Sequence, residues 1–163
     1  MPAPVVLRRL VPAACAMALA AFVPVAAHAA ERPAAHATSV DAQALLTRAV
    51  AELSAVGPAK ALAEFNDPHG SFQTRELYVF VFSMSGRYEA SGADPRLVGV
   101  EAIDMTDAEG KPFVRDMIAL AKARAGGRVD YVWLNRVDNH VEHKRSLVQR
   151  VGDHIVGVGY YAG

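Results

Sequence analysis

Cysteine is almost missing from this chain: Cys15 is the only one in 163 residues. It lies inside an N-terminal stretch that reads as a secretory signal, so the mature protein is expected to hold no thiol. That excludes a disulfide framework, a thiol nucleophile and a thiolate metal site. A charge imbalance is missing too, with 17 basic residues against 17 acidic ones. Without Arg8 and Arg9 the balance becomes 15 to 17, a net charge of about −2, which argues against nucleic acid and anionic membrane surfaces as partners. Past residue 30 there is no apolar run long enough to span a bilayer. A phosphate-cradling Gly loop, a nucleophile elbow and a dinucleotide fingerprint are all lacking, so neither an enzyme nor a cofactor is expected.

The N-terminal stretch is informative. Arg8 and Arg9 form a positive n-region, Leu10 to Ala27 is uncharged, and Ala27-His28-Ala29 is an A-x-A cleavage pattern. Pro12 and Pro24 interrupt the apolar run, which favours a cleaved signal over a membrane anchor. Cys15 sits before most of that run, the wrong place for a lipidation site. Residues 1–29 are thus read as a signal peptide, 30–39 as a flexible leader and 40–163 as one domain, exported in soluble form to the periplasm.

The most informative stretch of the domain is Leu77 to Ala90, LYVFVFSMSGRYEA. Leu77 to Met84 is nearly all apolar, and Ser85-Gly86 closes it, the pattern of a buried strand opening a hairpin. Alternation sends Tyr78, Phe80, Phe82 and Met84 to one face and Leu77, Val79, Val81 and Ser83 to the other. Neither set is polar, so both faces need cover.

Before this strand, Leu45, Leu46, Ala49, Val50, Leu53 and Val56 recur at helical spacing, with Ser39 or Asp41 as the expected cap. Gly57-Pro58 breaks the pattern, and a second short helix runs to Phe65, ahead of the breaker cluster Asn66-Asp67-Pro68-His69-Gly70. After the hairpin, Gly92 to Met105 has no clean period and reads as a loop. A helix follows, with Pro112 in its first turn and Phe113, Met117, Leu120 and Ala121 on one side. Three strands end the chain: one through Val129, Tyr131 and Trp133, one from Lys144 to Val151, and one from His154 to Tyr161. Gly157 and Gly159 share a face of the last, leaving a groove for either a helix or a ligand. The sum is an α+β domain, an antiparallel sheet of about five strands with helices on one side.

Several segments in this order resemble the single Cache domain of bacterial extracytoplasmic sensors: KALAEFNDPHGSF, LYVFVFSMSGRYEASGADPRLVG, DAEGKPFVRDMIALAKA, YVWLNR, HKRSLVQRV and VGVGYY. The resemblance spans Lys60 to Tyr161. It implies a PAS-like fold, a long N-terminal helix packed on a curved antiparallel sheet, with a small-ligand pocket on the sheet's other face. It further implies a sensor of small metabolites such as organic acids or amino-acid-like molecules, working with a membrane receptor or histidine kinase. Three places depart from the family pattern. Ser91-Gly92 stands where a His-Pro pair is frequent, Arg136 where a Pro is, and Leu147 where an aromatic is.

Tyr131, Trp133 and Lys144 are the leading ligand contacts: rings exclude water, and an ammonium makes a charge-assisted bond to a carboxylate. The competing reading is core packing for the rings and a solvated lysine. Tyr78 and Phe80 are further candidates for a pocket floor, and Arg115 for an anion contact, with packing and a surface ion pair as their alternatives. Asp138, His140 and His143 lie in a polar turn where such spacing gives no metal geometry. Asp104, Asp107, Glu109 and Gly110 lack the spaced ligands of a calcium loop and read as turn chemistry. The reading is a small-ligand sensor for an organic anion. The alternative is a protein-interaction or structural module whose pocket its own side chains fill.

Overall fold

Thr38, not Ser39 or Asp41, caps the first helix. Its hydroxyl accepts the Asp41 amide at 3.2 Å, and the Asp41 carboxylate accepts the Thr38 amide at 2.9 Å. This reciprocal capping box satisfies two amides that the first turn leaves free. Helix α1 runs Ser39–Val56 and buries Ala42, Leu45, Leu46, Ala49 and Leu53. Gly57 turns the chain at φ 78°, and Pro58 opens α2, Pro58–Phe65. The computed structural model describes residues 36–74 and 76–161, all within one unit, Pro33–Gly163. The signal segment 1–29 and residues 30–35 of the leader lie outside the described residues. The end of the leader is tied down: the Ala37 amide donates to Glu76 Oε2 at 2.6 Å, and His36 Nδ1 lies 3.0 Å from Glu76 Oε1.

Five strands follow: β1 Val79–Ser83, β2 Tyr88–Ser91, β3 Gly126–Asn135, β4 His140–Val151 and β5 His154–Tyr161. They form one antiparallel sheet in the order β2-β1-β5-β4-β3. The last strand made therefore lies at the centre, which is why Ile155 to Tyr161 is buried without interruption.

Both faces of β1 are covered, as its composition demanded. Val79 and Val81, with Val156, Val158 and Tyr160 of β5, pack under α1 and α2. Phe80 and Phe82, with Val129, Tyr131, Val148 and Ile155, pack against α3, Phe113–Arg124. The expectation of helices on one side is thus corrected. α1 and α2 cover only one apolar face, and α3 closes part of the second. Each fully buried Phe contributes about 1.5–3 kcal/mol, enough to recruit a helix to either face. The buried stripe of α3 holds Val114 and Ile118 with Phe113, Met117 and Ala121, while Leu120 is only half-buried. Pro112 precedes the helix instead of entering its first turn.

The polar turn expected from Asn135 to His140 is one end of a longer hairpin. β4 begins at His140, four residues before Lys144, and Asn135 pairs with His140. Residues 136–139 form the expected turn, whereas His140, Val141 and His143 are exposed strand residues: the hairpin runs past the end of the core, so the polarity of the two histidines marks solvent. His140 and His143 fall on opposite faces of the strand.

β3 is an edge strand, and Asp107 protects it. The Asp107 carboxylate accepts the amides of Glu109 at 2.9 Å, Lys111 at 2.8 Å and Val132 of β3 at 2.9 Å. Burial pushes its pKa up, but the Val132, Lys111 and Glu109 amides and the charge of Lys111 outweigh this and hold it below the ordinary carboxylate value. Among the described residues, no helix is long and apolar enough to cross a membrane.

Candidate functional site

Helix α3 leaves part of its face of the sheet open. Beside Phe113 lies a cavity of about 390 Å³. Tyr78, Phe80, Phe82 and Tyr88 line it from the first hairpin, and Tyr131, Trp133, Leu134 and Arg136 from β3 and its end. Ser91, Ala93, Asp94, Arg96 and Leu97 supply the rim.

The rings brace one another. Phe113 stacks on Tyr131 with centroids 4.5 Å apart and planes 6° from parallel, and Trp133 meets Phe113 edge-on at 5.2 Å. Tyr88 lies 4.3 Å from Phe82. Burial raises the phenol pKa of Tyr131 well above its ordinary value, against which Ser146 acts through a 3.0 Å hydrogen bond. Burial raises Tyr88 as well. The walls are therefore neutral, rigid and mostly apolar.

The rim is ionic. Arg96 Nε and Nη2 reach the two oxygens of Asp94, each at 2.8 Å. Hydrogen bonds from the Arg96 side chain, then its amide and the charges of Arg96 and Arg136, hold the Asp94 pKa down to about 2. Asp94 also accepts the Arg96 amide and so caps a short 3-10 turn, Pro95–Leu97. Arg136 donates to the carbonyl of Ala93 across the rim.

Of the residues singled out in the sequence, Tyr78, Phe80, Tyr131 and Trp133 line the cavity. Lys144 and Arg115 are not among its lining residues. Lys144 is opposite Tyr131 in the β3–β4 register and opposite Tyr161 in the β4–β5 register, so it shares a face with Tyr131 and Trp133. Yet it is 1% exposed: its Nζ lies beneath the rings of Tyr78 and Tyr161, 4.2 and 4.8 Å from their centroids, and donates to the Tyr78 hydroxyl at 2.6 Å. Arg115 stays outside, paired with Asp104 and donating to the Ile103 carbonyl at 3.2 Å.

The groove over Gly157 and Gly159 takes neither a helix nor a ligand. A Cβ on Gly157 would lie 2.2 Å from Phe80 Cζ, and one on Gly159 would lie 2.2 Å from Lys144 Cε. Side chains of the flanking strands fill it.

A second cavity of about 150 Å³ adjoins the first. It is lined by Gln73, Thr74, Glu76, Asn135 and Tyr161, together with Tyr78, Ala93 and Arg136, which line both. The departures from the family pattern divide accordingly. Ser91 and Arg136 line the main cavity, whereas Leu147 packs under the helices on the other face.

The sequence reading missed the rim residues Asp94 and Arg96, and singled out Arg136 only as a departure from the family pattern. Asp94-Pro95 was their one local signal, an Asx residue before Pro that favours a capped turn.

The chain matches the family described as single Cache domain 2 over residues 16–163, a match that begins inside the segment read as signal. It is similar in fold to a methyl-accepting chemotaxis protein from Vibrio parahaemolyticus RIMD 2210633: TM-score 0.64, 16% identity, 75% of this chain and 86% of that one. It is also similar to a periplasmic sensor domain of a chemotaxis protein, with TM-score 0.59 and 21% identity over 74% and 88% of the two chains. A third is a Cache chemosensory domain described for carboxylic acid recognition, with TM-score 0.59 and 23% identity over 74% and 86%. Comparison with curated protein sequences returns no match. A match over nearly the whole length, on a five-stranded sheet with a long helix behind and a ring-lined cavity in front, places the chain in the single Cache domain family of extracytoplasmic sensor domains.

Proposed function

We propose that this protein binds a small organic acid or amino-acid-like metabolite in the 390 Å³ cavity and acts in signal transduction as a ligand-binding module, not an enzyme. The observation that carries the reading is the cavity's lining: neutral aromatic walls that exclude water and, at the rim, the Arg136 guanidinium, which attracts an anion. The described resemblance to a domain that recognises carboxylic acids supports the same class. The signal segment would deliver the protein to the periplasm, where a membrane receptor or histidine kinase is the expected listener.

The test is a thermal-shift screen of the mature protein against small carboxylates and amino acids, repeated on Trp133→Ala. A ligand that raises Tm in the wild type and loses that effect in the variant is the expected result. Absence of any response, with a stable protein partner co-purifying from periplasm, would favour the interaction-module alternative instead.

A further inference from the structure

Among the described residues, two side chains with hydrogen-bonding heads line both cavities: Tyr78 and Arg136. They stand at the junction between an aromatic chamber and a polar one. Ala93, the third shared residue, contributes a carbonyl that Arg136 already occupies.

Lys144 decides how Tyr78 hydrogen-bonds. An ammonium can only donate, so at 2.6 Å the phenol oxygen is its acceptor. The phenol's own proton then needs a different acceptor, and none is present among the described residues. Lys144 has no ion-pair partner among them either; beyond Tyr78 it has the Tyr161 hydroxyl at 3.4 Å and two ring faces. Such contacts replace only part of the hydration lost on burial. The buried ammonium stands one phenol away from the junction and draws an anion toward it. The Glu76 carboxylate on the wall of the smaller cavity opposes it from the far side, where it also holds His36 and the Ala37 amide. Arg96 adds little to the attraction, because Asp94 neutralises it. Arg136 adds more, since its one hydrogen bond among the described residues goes to a carbonyl and it acts on Asp94 only through its charge, without an ion pair.

We infer that the Tyr78 hydroxyl and the Arg136 guanidinium together anchor the carboxylate of the ligand at the junction of the two cavities. Lys144 serves as a positioning residue that fixes Tyr78 as a donor and does not itself touch the ligand. The inference rests on the proposal that the aromatic cavity is the ligand site, and it moves the anion contact from Lys144 to Tyr78 and Arg136. Arg136 in particular stands where the family pattern has a proline.

Isothermal titration of the wild-type protein with propionate, pyruvate and benzoate, each against its neutral amide, tests it. At least one acid should bind about tenfold or more tightly than its amide, the loss expected when a charged acceptor is removed from two donors. Arg136→Gln and Tyr78→Phe should each weaken that acid about tenfold and bring the acid-to-amide ratio toward one. Trp133→Ala should weaken acid and amide alike. Arg136 is exposed, so its variant reports even where Tyr78→Phe disturbs packing. If both variants keep the acid affinity and preference while Trp133→Ala loses binding, the anchor is overturned and the cavity reading stands. If neither an acid nor an amino acid binds, the anchor is overturned as well; Trp133-dependent binding of an amide then preserves the cavity reading, and its absence removes that too.

Discussion

The ring of Phe80 lies on the bare backbone of Gly157, where a Cβ would stand 2.2 Å from Cζ and 2.3 Å from Cε2. The two residues face each other across the β1–β5 ladder. Glycine is required here by close packing rather than by its backbone angles. The absent side chain lets Phe80 lie flat and become floor to the cavity.

Gly157→Ala should therefore destabilise the fold by about 1–3 kcal/mol, the range of core overpacking. Urea denaturation measures it. Phe80→Leu in the same chain should recover part of the loss, because the clash needs both groups. Additive losses in the double variant would show that the contact is not the cause.

Lys144→Met tests whether the buried ammonium serves stability or binding. Methionine nearly preserves the shape of the stem and removes a charge that has no carboxylate partner among the described residues. Replacing a buried charge with an apolar group of similar volume is neutral or stabilising, so the urea midpoint should hold or rise. The acid-to-amide preference in titration should fall, because Tyr78 is then free to act as acceptor. A large loss of stability with unchanged preference would assign Lys144 to the core alone.

Asp107 gives a pH dependence with a definite sign. Its folded pKa is depressed below 3.8, so its stabilising effect is present above that value and is lost as pH falls through the folded pKa. Asp107→Ala should cost about 1–3 kcal/mol near neutral pH, since the Val132 amide of an edge strand loses its acceptor. The gap between variant and wild type should close as pH drops below 3.8 in urea titrations. A gap that stays constant with pH would remove the carboxylate from the account.

Glu76 links the residues before α1 to the wall of the smaller cavity, accepting the Ala37 amide while lining that space. Glu76→Ala should speed hydrogen exchange at Ala37 about tenfold or more, by loss of a charge-assisted bond. Protection elsewhere in α1 should change less, because its capping box and buried stripe remain.

Much of this domain was legible in local patterns. The two-sided strand, the Gly57-Pro58 break and the hairpin at Ser85-Gly86 follow from periodicity and turn chemistry within a few residues. Tyr78, Phe80, Tyr131 and Trp133 could be placed together because alternation on strands is a local rule. Asp94, Arg96 and Arg136 could not, since charged residues in loops look like any solvated surface until the loops meet.

By itself, then, the sequence determined the elements, the apolar character of both sheet faces and the family resemblance, because each depends on short-range order along the chain. Only the tertiary structure decided that α3 crosses to the second face, that Lys144 ends beneath Tyr78 and that Arg136 reaches the carbonyl of Ala93. Those outcomes depend on strand register and on contacts between residues more than forty positions apart, where the energy of closing a chain and filling a space, not any local preference, selects the arrangement.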